Sequence, residues 1–410
     1  MKLRALAGAL MLAGVVAPAF ATNGYFSHGY GIKSKGMAGV GYAYGQDALA
    51  AATNPANMVL VGSRWDVGLD YFRPQRESTL DSSTPFPGTY DGNDTENFFI
   101  PEFGYNQMLS NNMSFGVSVY GNGGMNTDYG DFNSRTSNLV FGNGNLGVDL
   151  MQLFISPTLS MKVNENHAVG VSLKIAYQRF KAYGLQNFDN TTWSSSPNNV
   201  TNNGYDSSWG YGIGLGWTGQ LTPTFSVGVA YQSRTWMQKF DKYKGLFAEQ
   251  GDFDIPENYG IGFAWKATPQ LTIAGDVQQI NYGSIKSIAN KGTAPWLLGD
   301  SNGPGFGWED ITVYKLGVSY DLNKAWTLRA GYSTTDAPYA GTETFFNILA
   351  PGVVKDHLTL GATWRMPSGG ELSFAYMHAF KNTVNGTGPN ADINNTMYED
   401  SFGVAYGMKF

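Results

Sequence analysis

Cysteine is absent from all 410 residues. An exported chain without cysteine has no disulfide framework and no thiolate metal site. Charge is scarce as well: Asp, Glu, Lys and Arg make up 14% of the chain, where about 25% is usual. The little charge present leans acidic, at a formal net −6, which argues against a nucleic-acid partner. Long apolar runs are missing too. No segment after the N-terminus holds about 20 consecutive apolar residues, so none reads as a transmembrane helix. Catalytic motifs are lacking. The four histidines are scattered at His28, His167, His357 and His378. There is no His-Glu-x-x-His, no Gly-x-Ser-x-Gly and no phosphate loop. The chain is read as a non-enzyme that calls for no cofactor and no metal.

What is present starts with a leader. Lys2 and Arg4 are followed by an apolar run from Ala5 to Ala17 and by Ala19-Phe20-Ala21, a small-x-small cleavage site. In that order these features make a secretory signal peptide over residues 1–21. The run is too short to span a bilayer as a helix. The mature chain is expected to begin at Thr22, with 24 basic against 32 acidic residues and a net charge of −8.

Glycine (53 residues) and aromatics (14%) are abundant, and the aromatics alternate. From Phe402 to Phe410, large apolar residues alternate with small or polar ones, the period of a strand. An alternating strand ending on an aromatic resembles the C-terminal signal of outer-membrane barrels. The pattern recurs in Val169, Val171, Leu173, Ile175 and Tyr177, in Trp209, Tyr211, Ile213, Leu215 and Trp217 between four glycines, and in Leu358, Leu360, Ala362 and Trp364. In a membrane barrel these sets face lipid and the small or polar sets face the lumen. Segments near 65–72, 98–108, 113–121, 149–163, 167–179, 207–219, 224–234, 256–266, 271–281, 311–322, 326–333, 355–365, 371–379 and 400–410 make about fourteen strands. Short turns alternate with long polar loops, the periplasmic and extracellular asymmetry of bacterial barrels. Trp65, Trp209, Trp265, Trp326 and Trp364 fall near strand ends, as interfacial girdles do. The expected fold is all-β, a transmembrane antiparallel β-barrel of residues 63–410.

Residues 22–62 lack strand alternation and are rich in Gly and Ala. Eight strands are filled by side chains, whereas 16–18 leave an aqueous channel, so about fourteen leave a hole that this segment can fill. The lumen-facing Gly210, Gly212, Gly214 and Gly216 leave room for it. Phe26-Ser27-His28-Gly29, Gly36-Met37-Ala38-Gly39, Gln46-Asp47-Ala48 and Asn54-Pro55-Ala56, placed between a leader and the first strand, resemble the N-terminal hatch of the long-chain fatty acid transporter family, which includes aromatic hydrocarbon uptake proteins. The resemblance covers the mature chain in architecture. It implies diffusion-driven uptake of hydrophobic molecules, with capture by extracellular loops, a deeper apolar site and lateral exit at a kink in the third strand. It also implies a monomer amid outer-membrane lipid and lipopolysaccharide.

Candidate residues follow. Asn54, Pro55 and Ala56 are read as a hatch element rather than an ordinary Asn-Pro turn. Gly121, Gly123 and Gly124 either form the kink of a lateral opening or begin an extracellular loop. Lumen parity selects Lys174, Lys315 and Arg329 as inward cations, with Glu102, Asp276 and Glu371 as inward acids. The cations either receive a fatty-acid carboxylate or brace wall and plug. Trp236, Met237, Phe240, Tyr243, Leu246 and Phe247 form a loop cluster for capture, and the spacing 236, 240, 243, 247 predicts one face of a short helix. Trp296, Leu297 and Leu298 form a second, weaker cluster. An outer-membrane lipid hydrolase needs a histidine and a serine together on the lipid face, but His378 points outward and Ser373 inward. A general water-filled porin is the more serious rival, and it accounts for neither the hatch nor the apolar loop.

Overall fold

A strand whose two faces differ is stable in lipid only when every backbone group is paired and no edge remains. The computed structural model, which describes residues 23–410, meets that requirement by closure along all of the wall but one stretch between β2 and β3. The leader over 1–21 and Thr22 lie outside the described residues. The wall consists of β1 (Arg64–Leu80), β2 (Phe98–Ser110), β3 (Met113–Tyr129), β4 (Leu146–Lys162), β5 (His167–Tyr183), β6 (Asp206–Thr222) and β7 (Phe225–Gln232). It continues with β8 (Asn258–Lys266), β9 (Leu271–Ile280), β10 (Ile311–Asp321), β11 (Trp326–Thr334), β12 (Asp356–Arg365), β13 (Gly370–Val384) and β14 (Ile393–Lys409). Neighbours in sequence pair antiparallel, and β14 returns to β1 from Arg64↔Lys409 to Leu80↔Ile393, which closes the barrel. Two short strands, Gly88–Asp91 and Trp236–Met237, add to β1 and β6 from the loops.

The expected alternation sorts as membrane physics requires. Val169, Val171 and Leu173 are exposed on the outer face, while Ala168, Ser172 and Lys174 between them are buried. Near the periplasmic rim Trp326 pairs with Trp364 and stacks on it at 6.2 Å, and Trp65 packs against Tyr406. Such aromatic belts sit where one end of the ring is apolar and the other wet.

All fourteen expected strands are present, and several run further. β1 continues to Leu80 and β14 begins at Ile393, because above the apolar band the outward residues turn polar and the period-two signal fades. β3 differs in kind. It runs unbroken to Tyr129, so Gly121–Gly124 lie inside the strand and do not begin a loop. Its pairing to β4 shifts between Gly121 and Gly123, leaving Asn122 as an extra residue. Just before that bulge the wall unzips on the other side of β3. β2 and β3 pair from Ser110↔Met113 up to Phe103↔Val119 and, among the described residues, no further. β2 nevertheless continues on β1 to Phe98, and β3 continues on β4 to Tyr129.

Candidate functional site

Residues 23–62 form only single turns of helix at Ile32–Lys35, Ala50–Ala52, Pro55–Asn57 and Met58–Val61. Of these forty residues only Leu60 is exposed. Backbone buried without regular structure must find other partners, and here the partners include inward side chains of β1–β5, β9, β10 and β12. Asp66 accepts from Ala48 N, Glu102 from Gly31 N and Ile32 N, and Asp276 from Gly41 N and Tyr42 N. Ser118 and Ser160 donate to Ala48 O and Ala56 O.

Asn54 is the most heavily bonded of these residues. Its Oδ1 accepts from Ala56 N at 3.0 Å, capping the turn that Pro55 opens. Its Nδ2 donates to Tyr42 O, Trp217 O and Thr218 Oγ1 at 2.6, 3.1 and 3.0 Å. The wall admits this turn only because it is glycine there. A Cβ on Gly216 would stand 1.9 Å from Asn54 Oδ1, and one on Gly170 would stand 2.4 Å from Pro55 C. Asn54→Ala leaves several buried groups unbonded, at about 1–3 kcal/mol for each. The variant is expected to unfold at a lower temperature than the parent, read by the gel shift of the heat-denatured barrel.

Charges lock the same segment at its periplasmic end. Lys33 binds Glu371 at 2.5 Å and Lys35 binds Asp70 at 2.6 Å, both within the barrel. Arg64 joins Asp66 and Glu371 at 2.7 and 2.9 Å. The three expected cations are likewise engaged. Lys174 donates to Ala51 O and Tyr120 Oη, Lys315 to His28 O, and Arg329 to Gln46 Oε1 and Thr363 Oγ1.

The N-terminal end of the segment meets the bulge. Ser27 N donates to Asn122 O and Gly124 N to Tyr25 O, at 2.9 and 3.0 Å. A Cβ on Gly123 would lie 1.8 Å from Tyr25 O. Glycine at 123 therefore permits the close approach of two backbones beside the unzipped wall.

Two apolar cavities lie above this point. The outer one is walled by Phe180, Leu246, Phe247, Leu298, Phe306 and Phe346, with Ser287 among its few polar neighbours. Phe240, Tyr243 and Phe247 pack on Phe180 with ring centroids 5.8, 4.9 and 4.7 Å away. The loop cluster thus assembles without the expected helix. Trp236 and Met237 are held as a strand on β6, and Asp241–Tyr243 is a single turn. Gly210 makes this possible, since it lies under Trp236 O and Met237. Trp236 consequently faces outward against Tyr211, half exposed and away from Phe240. Trp296 is exposed while Leu298 joins the cavity. The inner cavity is smaller and is lined by Tyr25, Met125, Asn126, Trp308 and Met397 and by the backbone turn at Ala350–Gly352.

A family model described as outer membrane protein transport protein (OMPP1/FadL/TodX) matches residues 15–409. The chain belongs to this family. Its members are outer-membrane transport proteins, and this chain is one. A long-chain fatty acid transport protein of Escherichia coli O6:H1 is 20% identical over 413 residues, covering 89% of this chain and 90% of that protein. The toluene transporter TodX of Pseudomonas putida superposes with a TM-score of 0.71 at 19% identity, over 93% of this chain and 99% of that one. A Pseudomonas aeruginosa FadL homologue does so with a TM-score of 0.72 at 16% identity, over 94% and 100%. At these identities the likeness establishes the fold of the family.

Within this family fold the loop over the outer cavity carries its own titratable group. Burial, then Asp254 and Glu249, raise the Asp252 carboxyl to about 6. Its carbonyl accepts from Ser287 Oγ at the cavity. A carboxyl with a raised folded pKa stabilises the closed loop below the ordinary carboxylate range and loses that contribution as pH rises through about 6. Corrected for the intrinsic pH dependence of amide exchange, the protection factors of residues 238–257 are expected to be higher at pH 5 than at pH 7.5, and Asp252→Asn is expected to flatten the difference.

Inward parity found Lys174, Lys315, Arg329, Glu102, Asp276 and Glu371. It equally marks Arg64, Asp66 and Asp70, which sequence reading passed over although they alternate along β1. Lys33, Lys35, Tyr25 and Trp308 carried no such signal, since they lie outside any periodic element.

Proposed function

We propose that this protein is a channel for diffusion-driven passage of hydrophobic small molecules across the outer membrane, with residues 23–62 as the hatch that closes its lumen. The observation that carries the reading is the pair of apolar cavities ending at a wall that unzips between β2 and β3. A molecule gathered in the outer cavity by Phe240, Tyr243, Leu246 and Phe247 passes to the inner one beside Tyr25. It then leaves sideways where Gly121, Gly123 and Gly124 bend β3. Asn54, Pro55 and Ala56 anchor the hatch to β5 and β6. Lys174, Lys315 and Arg329 hold the hatch in this form, and they meet a ligand carboxylate only once it withdraws. Fatty acids and aromatic or aliphatic hydrocarbons, named for the relatives, both suit such a path. The protein acts as a monomer set in phospholipid and lipopolysaccharide, without catalysis.

A water-filled porin is the weaker reading, because the lumen is crossed by buried, bonded backbone. Uptake by cells carrying the barrel separates the two. Toluene or oleate is expected to enter several-fold faster than in cells without it, and a disaccharide is expected to enter no faster. Faster disaccharide entry with unchanged toluene and oleate would reject the channel proposed here.

A further inference from the structure

Below Met397 on β14, the next inward residue is Glu399. It is wholly buried, and neither carboxyl oxygen has a hydrogen-bond partner among the described residues. Its cross-strand neighbours explain why. They are Pro74 on β1 and Ala379 on β13, which offer no polar side-chain atom. One step further along, Ser401 is already bonded to Asp70, the partner of Lys35. The cation whose charge reaches Glu399 is Arg76. Its guanidinium is spent on Asn93 Oδ1, Asn126 Oδ1, Gly92 O and Thr95 O, and the two form no ion pair among the described residues.

Tyr25, which lines the inner cavity together with Met397, repeats the situation. Its ring sits among Tyr282, Trp308 and Phe253 at 5.1, 5.9 and 6.2 Å. Its hydroxyl is buried beside Gln152 without a formed hydrogen bond. The Gln152 amide is turned instead to Asn122 and Gln178.

We propose that the inner cavity selects hydrophobic molecules bearing a neutral hydroxyl, alcohols or phenols, through Glu399 and Tyr25. This rests on the reading of that cavity as a ligand site, and it narrows the ligand class. A plain hydrocarbon leaves both polar groups buried and unbonded. A carboxylate brings a second acid beside Glu399 and finds the lumenal cations already committed. A hydroxyl donates to an ionised carboxyl or accepts from a neutral one, and it can do the same with a phenol. A site whose buried polar groups await a substrate hydroxyl discriminates against analogues that lack it.

The test uses three ligands that share a methylated ring: p-cresol, p-xylene and p-toluate. Each is titrated calorimetrically into the full mature barrel in detergent, and heat-modifiability checks the fold of every variant. In the parent, p-cresol is expected to bind about tenfold tighter than either of the others, about the size of one net hydrogen bond. Glu399→Leu and Tyr25→Phe are each expected to weaken p-cresol severalfold and leave p-xylene unchanged, and Glu399→Gln to keep most of the preference. Equal binding of p-cresol and p-xylene to the parent, tightest binding of p-toluate, or a cresol preference that survives both variants overturns the proposal while leaving the channel intact. Failure of all three ligands to bind overturns the cavity as a ligand site as well.

Discussion

Without residues 22–57 the barrel is expected to conduct ions freely in a planar bilayer, where the intact protein is expected to stay nearly closed. About fourteen strands enclose more space than their inward side chains fill, and here many of those inward positions are glycine, serine or threonine. Gly214, Gly216, Gly228 and Gly331 all stand against backbone or side chains of the inner segment. That segment also supplies the groups that satisfy Glu102, Asp276, Lys174 and Lys315. Its loss would leave a polar, hydrated bore, since these groups would then take water as partner. Wall pairing does not depend on it: β1 closes on β14 over its whole length. The truncated barrel should therefore still assemble and still shift on heating, while conductance rises by an order of magnitude or more. Equal conductance with and without the segment would show that it does not close the lumen.

The second large effect concerns the side of the barrel. Asn122 is the extra residue between Gly121↔Leu153 and Gly123↔Gln152. Removing it restores one-to-one pairing with β4 and takes away the bend, since a bulge is what re-aims a strand. The upper part of β3 can then approach Phe98–Glu102 of β2, an edge with no strand partner on that side among the described residues. Uptake of a hydrophobic tracer is expected to fall at least tenfold, because the ligand reaches the inner cavity and finds the wall shut. Conductance should stay low, because residues 23–62 keep their contacts with the wall. The two deletions thus act in opposite senses on different quantities. Unchanged uptake after loss of Asn122 would mean that ligand leaves by another route, past the hatch into the periplasm.

Much of the architecture was legible in the chain because its determinants are local. A strand in lipid must alternate with a period of two, and that pattern identified all fourteen strands and the inward parity of Lys174, Lys315 and Arg329. The misreading arose where local rules compete. The spacing of Trp236, Phe240, Tyr243 and Phe247 suits a helix, but the backbone of Trp236 and Met237 pairs with β6 across Gly210. In sequence, Gly121-Asn122-Gly123-Gly124 is open between a bend in the strand and the start of a loop, and the continuation of β4 beside it makes it strand.

By itself, the sequence determined the barrel, its strand number, its lipid face and the existence of a segment too Gly-rich and aperiodic to belong to the wall. Only the tertiary structure decided what the inward groups do. Lys315 meets His28 O across 287 positions of chain, Ala38 N meets Thr359 across 321, and Ser401 meets Asp70 across 331. It also decided that β2 and β3 part above Val119, and that Glu399, one inward position below Met397, is left without a hydrogen-bond partner among the described residues. Parity tells which way a side chain points. What it meets there depends on closure, which brings distant strands and the inner segment to one axis, and no period along the chain encodes those encounters.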